Sequence, residues 1–224
     1  MSKIYPYQPV LLRILHGAIA LLTFAALITG FMVYDRFDKR FGTLSLPEIP
    51  NSMGIHGTIA LTFLIVLPIF ALYCFHLGDR RLVQAKTLSN LTAEVGKPVW
   101  WISLQRLVNT CILLSATLAV ITGRMMQEIW LPNKDLTQVW YSGHLFSWAL
   151  MIVSIAMNLL MNAKIGGWTL LLSIYNWKVR AEDTPQKWFE RLSLKPSSMV
   201  LLVFEALVLI GIALAFVLPL FASS

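Results

Sequence analysis

The stretch WYSGHLFSWALMIVSIAMNLLMN, from Trp140 to Asn162, carries His144 near its start and Asn158 fourteen residues later. It is otherwise apolar and long enough to cross a hydrocarbon core, which takes roughly 20 helical residues. A helix in lipid satisfies its own backbone, but an imidazole or a carboxamide on that helix needs a partner inside the protein. The stretch therefore predicts a transmembrane helix with one polar side turned toward neighbouring helices.

The rest of the chain agrees. Of its 224 residues 57% are hydrophobic and 13% charged, with a mean hydropathy of +0.69, whereas soluble domains carry about 25% charged residues. The apolar residues fall into five runs of spanning length: Val10–Val33, Met53–Phe75, Trp100–Ile121, Val139–Met161 and Ser198–Phe221. Pro9, the loop PEIPNSMG, Pro98 and the break KPSS separate helices, because proline lacks an amide donor and clashes with a preceding turn. The fold class is an all-α membrane protein, a four-helix transmembrane bundle plus a fifth transmembrane helix. We divide it into a core over residues 1–165, a cytoplasmic-side interfacial loop over 166–196 and the fifth helix over 197–224. No internal repeat or low-complexity segment stands out.

The formal net charge of +7 comes from loop residues on one side. Lys3, Arg13, Arg80, Arg81, Lys86, Lys97, Lys164, Lys178, Arg180, Lys187, Arg191 and Lys195 fall there, against Arg36, Lys39, Arg40, Arg124 and Lys134 on the other. The positive-inside rule then places the N-terminus in the cytoplasm and the C-terminus across the membrane. A bacterial plasma membrane or a thylakoid would satisfy the rule. No Lys/Arg cluster is interleaved with aromatics, so nucleic acid is not a partner. The N-terminal basic-then-apolar order resembles a secretory signal, but the run is long and no A-x-A pattern follows, so it reads as a retained helix. The loop after span 4 mixes Trp168, Trp177 and Trp188 with cations, a composition suited to membrane lipid at headgroup depth or to a docking cytoplasmic partner. Cys74 and Cys111 sit in apolar runs without a CxxC pattern, which leaves them as packing residues.

The four histidines carry the functional signal. Spans 2 and 4 enter from the same side, so His56 and His144 lie at matched shallow depth. Two imidazoles at one depth can clamp a metal. With Gly54, Gly57, Ser142 and Gly143 beside them and no carboxylate nearby, a flat haem with two axial histidines fits. Zinc would call for more Cys, His or Asp ligands, and two unrelated packing histidines are the plainer alternative. His16 lies near the other end of span 1. Asn158, about 21 Å along the helix from His144 at 1.5 Å per residue, stands at the depth of a second haem but is a poor iron ligand. His76, about 30 Å from His56, is either an interfacial histidine or a substitute partner for His16. Met157 and Met161 read as packing.

Span 1 with RILHGAIALLTFAALITG, span 2 with GIHGTIAL, span 3 with SLQRLVNTCILLSATLAVITG and span 4 with YSGHLFSWALMIVSIAMN resemble a b-type cytochrome family. That family includes the membrane subunits of nickel–iron hydrogenases and respiratory formate dehydrogenases, with the bacterial cytochrome b561 proteins. The likeness covers about three quarters of the chain. It implies a haem-binding bundle that passes electrons between a redox partner subunit and quinone. By resemblance His56 and His144 ligate an outer haem b, and His16 is one ligand of an inner haem whose other ligand would stand at Asn158. The departure at Asn158 leaves the inner haem absent, held by His16 alone, or completed by His76. Arg106 or Arg13 would meet haem propionates. Gly17 replaces the family's aromatic, and the added span 5 carries Glu205, suited to proton delivery, to a polar pairing between helices or to an interface.

Two functions follow. One is a membrane cytochrome carrying electrons through at least one bis-histidine haem, to or from quinone, inside a larger redox system. The other is a degenerate relative that anchors or assembles a membrane complex.

Overall fold

The computed structural model describes residues 6–126, 134–188 and 198–222. Lys3, Arg191 and Lys195, which entered the charge asymmetry, lie outside the described residues. Six α-helices and no strand are present among the described residues: α1 Val10–Phe37, α2 Ser52–His76, α3 Thr87–Ala93, α4 Pro98–Met125, α5 Lys134–Ser173 and α6 Met199–Ala222. All except α3 are long and apolar enough to span a membrane. This is an integral membrane protein with the expected five spans.

The helices begin where local chemistry allows. Pro98 occupies the first turn of α4, where its missing amide costs no hydrogen bond. Asn51 takes a left-handed conformation, with φ of 56°, just before α2, as asparagine does more readily than most residues.

Three helices outrun their apolar sequences: α4, by the four residues to Met125, and two others. The first of these two, α1, continues from Val33 to Phe37, carrying Asp35, which is only 3% exposed. The Asp35 carboxylate accepts hydrogen bonds from the Thr43 hydroxyl at 2.8 Å and from the Leu44 and Leu46 amides at 2.6 and 2.9 Å. It thereby folds the α1–α2 loop back on the helix end. The second, α5, continues past Met161 to Ser173, with a break at Gly167, where φ is 61°. Hydropathy reports contact with lipid, and a helix persists beyond that contact wherever its polar groups find partners.

Packing joins α1 to α2 and α4 to α5, with α6 set against both α4 and α2. The shared core draws Leu67, Ala71 and Phe75 from α2, Leu113, Ala116 and Val120 from α4, and Leu201, Val208 and Ile212 from α6. Between α1 and α5, the Trp148 indole donates to the Leu27 carbonyl at 3.2 Å and stacks on Phe31 with ring centres 6.1 Å apart. The Tyr141 hydroxyl donates to Asp38 at 2.8 Å.

At the N-terminal face the segment after α5 folds over the start of α1. Asp183 accepts from the Tyr7 hydroxyl and, at 2.7 Å, from the Val10 amide, so it caps α1 from 173 residues away. Burial alone would raise the Asp183 carboxyl, but these two hydrogen bonds and the Arg13 charge outweigh it and hold the group below its ordinary value. The Arg81 guanidinium donates to Gln8, and Gln8 donates to Ser173.

A Cβ at Gly211 of α6 would lie 2.5 Å from Thr117 Cγ2 on α4. Gly211→Leu is therefore expected to lift α6 from the core and to lower the melting temperature in detergent by several degrees. Differential scanning fluorimetry of the purified variant checks this, and Ala213→Leu serves as control because residue 213 is exposed on the same helix.

Candidate functional site

His56 and His144 meet. Their ring centres are 6.2 Å apart and their planes are inclined by 77°. His56 lies in the second turn of α2 and His144 in the early part of α5, on the face opposite the N-terminus. Each ring is held by the neighbouring helix of its own pair, His56 by α1 and His144 by α4.

The hydrogen bonds decide which nitrogen of each ring is protonated. Thr29 Oγ1 lies 3.0 Å from His56 Nδ1. The same hydroxyl donates to the Ala25 carbonyl at 2.7 Å. A threonine hydroxyl has one proton, and where that proton goes to the backbone its oxygen accepts from His56. In that arrangement Nδ1 of His56 is the N–H, and Nε2 is left bare. The second ring repeats the logic. Thr122 Oγ1 donates to the Leu118 carbonyl at 2.7 Å and lies 3.0 Å from His144 Nδ1. The Ala119 carbonyl, which can only accept, is 3.1 Å from the same nitrogen. His144 Nδ1 is again the donor and Nε2 the free lone pair. Fixing the tautomer from behind in this way is how proteins orient metal-binding imidazoles.

Glycines allow the close approach. A Cβ at Gly30 would stand 3.2 Å from His56 Cε1, and one at Gly123 would stand 3.3 Å from His144 Cε1. Thr29–Gly30 and Thr122–Gly123 are the ends of two identical tripeptides, Ile28–Gly30 and Ile121–Gly123. Each threonine follows an arginine, Arg13 or Arg106, by sixteen residues. α1 with α2, and α4 with α5, thus hold their histidines in the same way, each through the threonine and glycine of an Ile-Thr-Gly tripeptide. The repeated Ile-Thr-Gly was the signal for Thr29 and Thr122, which sequence reasoning passed over.

The other candidates lie elsewhere. Asn158 of α5 donates to Asn109 Oδ1 of α4 at 2.6 Å. Asn162 donates to the Asn158 carbonyl and side chain at 2.8 and 3.0 Å, and Gln105 donates to Asn162 at 2.7 Å. Asn109 in turn donates to the Arg81 carbonyl at 2.9 Å. These four amides form a ladder between α4 and α5. His76 closes α2, and its Nε2 lies 3.0 Å from Glu205 Oε1 of α6, each side chain 12% exposed. Glu205 has thus taken the polar pairing between helices. His16 is half-buried on α1. Arg106 donates to the Arg80 carbonyl and Arg13 to the Lys178 carbonyl.

Among the described residues no group of three or more His, Cys, Asp or Glu could hold a bare metal ion. Two neutral imidazoles suit a metal that brings its own equatorial ligands. A cavity of about 510 Å³ between α1, α5 and the α1–α2 loop is lined by Leu27, Phe31, Met32, Pro47, Ile152 and Trp148, which stands one turn along α5 from His144.

Comparison with known proteins agrees with this chemistry. A family model described as prokaryotic cytochrome b561 matches residues 7–162, the span that holds both histidine units and the amide ladder. No match was found among curated proteins or among solved structures. The chain belongs to the prokaryotic cytochrome b561 family, a family of membrane b-type cytochromes.

Proposed function

We propose that the protein is an electron-transfer cytochrome in which His56 and His144 hold one haem b through Nε2, and that it exchanges electrons with quinone inside a larger redox system. One observation carries this reading: two imidazoles of fixed tautomer whose ring centres are 6.2 Å apart. Two metal–nitrogen bonds of about 2 Å, with about 1.1 Å from each nitrogen to its ring centre, span about 6 Å. When bound, haem supplies a one-electron iron couple. The chain supplies the rest. Thr29, Thr122 and the Ala119 carbonyl hold the tautomers, Gly30 and Gly123 admit the rings, and the apolar bundle excludes water.

The haem count in this reading is one. An inner haem on His16 would need a partner, while the Asn158 amide is engaged by α4 and His76 is paired with Glu205. Both observations count against the inner site that family resemblance alone would fill. With the basic N-terminal face in the cytoplasm, the proposed haem lies toward the outer side of a bacterial plasma membrane. The α1–α5 cavity, lined by Trp148 one turn from His144, suits the apolar ring and tail of a quinone.

Detergent-purified protein is expected to show a sharp reduced α band and about one haem per chain by pyridine haemochrome assay. His56→Ala and His144→Ala should each abolish the low-spin signal, whereas His76→Ala should keep it. Protein purified gently from native membranes without any haem would sink the proposal in favour of an anchoring subunit. Asn158→Leu is expected to keep the haem ratio while costing about 1 kcal/mol of stability from the broken amide ladder. Loss of a haem in that variant would instead assign Asn158 to a cofactor site.

A further inference from the structure

The two histidine units share the Ile-Thr-Gly tripeptide but differ in hydrogen bonding. Among the described residues, His56 Nδ1 has one acceptor, the Thr29 hydroxyl at 3.0 Å. His144 Nδ1 has two, the Thr122 hydroxyl at 3.0 Å and the Ala119 carbonyl at 3.1 Å. An acceptor behind an axial imidazole draws on its N–H and makes Nε2 a stronger donor to the metal. A stronger donor favours the oxidised metal and lowers the reduction potential. We propose that Thr29 is the positioning residue that sets the potential of the site through His56, and that Thr122 is a weaker lever because Ala119 shares its load.

The geometry makes this specific. Thr29 stands on α1 and His56 on α2, so the bond also joins the two helices of one unit. Without the hydroxyl, the buried Nδ1–H loses its acceptor. That ring is then free to rotate or to move its proton to Nε2, the nitrogen needed for ligation. On the other side, a backbone carbonyl survives any side-chain substitution at Thr122. It still compels Nδ1 of His144 to be the protonated nitrogen. Gly143 packs against Thr122 Cγ2, a Cβ there lying 3.2 Å away. Valine keeps this methyl, so Thr122→Val removes the hydroxyl while preserving the packing.

The inference rests on the bis-histidine haem proposed above, and its test separates the two. Holo-protein carrying Thr29→Val, Thr122→Val, Thr29→Ser or Thr122→Ser is titrated by optical redox potentiometry, with low-temperature EPR of the oxidised form. Thr29→Val is expected to raise the midpoint potential and shift the low-spin g values, and Thr29→Ser to restore both. Thr122→Val should move them in the same direction by less. Loss of haem from Thr29→Val with retention in Thr122→Val supports the same ranking. A wild-type potential and spectrum in fully loaded Thr29→Val overturns the proposal, as does an equal or larger effect of Thr122→Val. Equal haem loss from both valine variants also overturns it. Should the wild type hold no haem, the bis-histidine reading fails by itself. The tautomer is then read on the unloaded protein by nitrogen-15 NMR of labelled histidine. An Nδ1–H signal for His56 that disappears in Thr29→Val supports the positioning role, and an Nε2–H signal in the wild type overturns it.

Discussion

A threonine hydroxyl has a single proton, and in this bundle that proton goes to the threonine's own helix. Thr29 donates to Ala25 and Thr122 to Leu118, the common four-residue back-bond of threonine in a membrane helix. What remains on each oxygen is acceptor capacity aimed at a histidine of the next helix. An imidazole buried in lipid is stable when neutral and hydrogen-bonded, and these oxygens supply that partner while determining which nitrogen stays bare. The pairing of α1 with α2 and of α4 with α5, the glycines after each threonine and the matched depth of the two rings all serve this bond. Moving either helix by one residue would rotate its threonine about 100° off the ring.

The two halves of the membrane solve different polar problems. On the histidine side, two imidazole rings lie with their centres 6.2 Å apart, and among the described residues no group of three or more His, Cys, Asp or Glu gathers there. On the N-terminal side the polar groups satisfy one another: four amides run between α4 and α5, and His76 pairs with Glu205. A carboxamide offers a weakly basic oxygen and a nitrogen whose lone pair is delocalised, so it makes a good interhelical bond and a poor iron ligand. Asn158 is accordingly a helix-joining residue here, bonded to Asn109 across the α4–α5 contact and to Asn162, which Gln105 holds in turn.

Much of this was legible in the sequence. Membrane class, the number of spans and the matched depth of His56 and His144 follow from hydropathy and from counting residues along helices of fixed rise. Other features were not. Both ends of α1 are set by polar partners, Asp183 with Val10 at the start and Asp35 with the α1–α2 loop at the finish, which hydropathy does not register. The Asn158 ladder needed the rotation of α4 about its axis, and a residue count fixes depth but not azimuth. The pairing of Glu205 stayed open among three roles for the same reason, since only the packing of α6 against α2 brings it to His76.

The fifth helix changes which sides of the bundle meet lipid. It lies against α2 and α4, inserted by the close approach of Gly211 to Thr117 and by the Glu205–His76 pair, and it begins beyond residue 162, where the family match ends. A buried acid–base pair is costly to separate in lipid, so α6 is fixed in register rather than loosely adsorbed. With the α2–α4 side covered, the cleft between α1 and α5 is the flank where Trp148, Phe31 and Leu27 line an apolar cavity within one turn of His144. The helix outside the family match and the cavity inside it therefore lie on different flanks of the bundle. Packing α6 on α2 and α4 takes that side of the bundle away from lipid, while Trp148 joins α1 to α5 on the flank that holds the cavity.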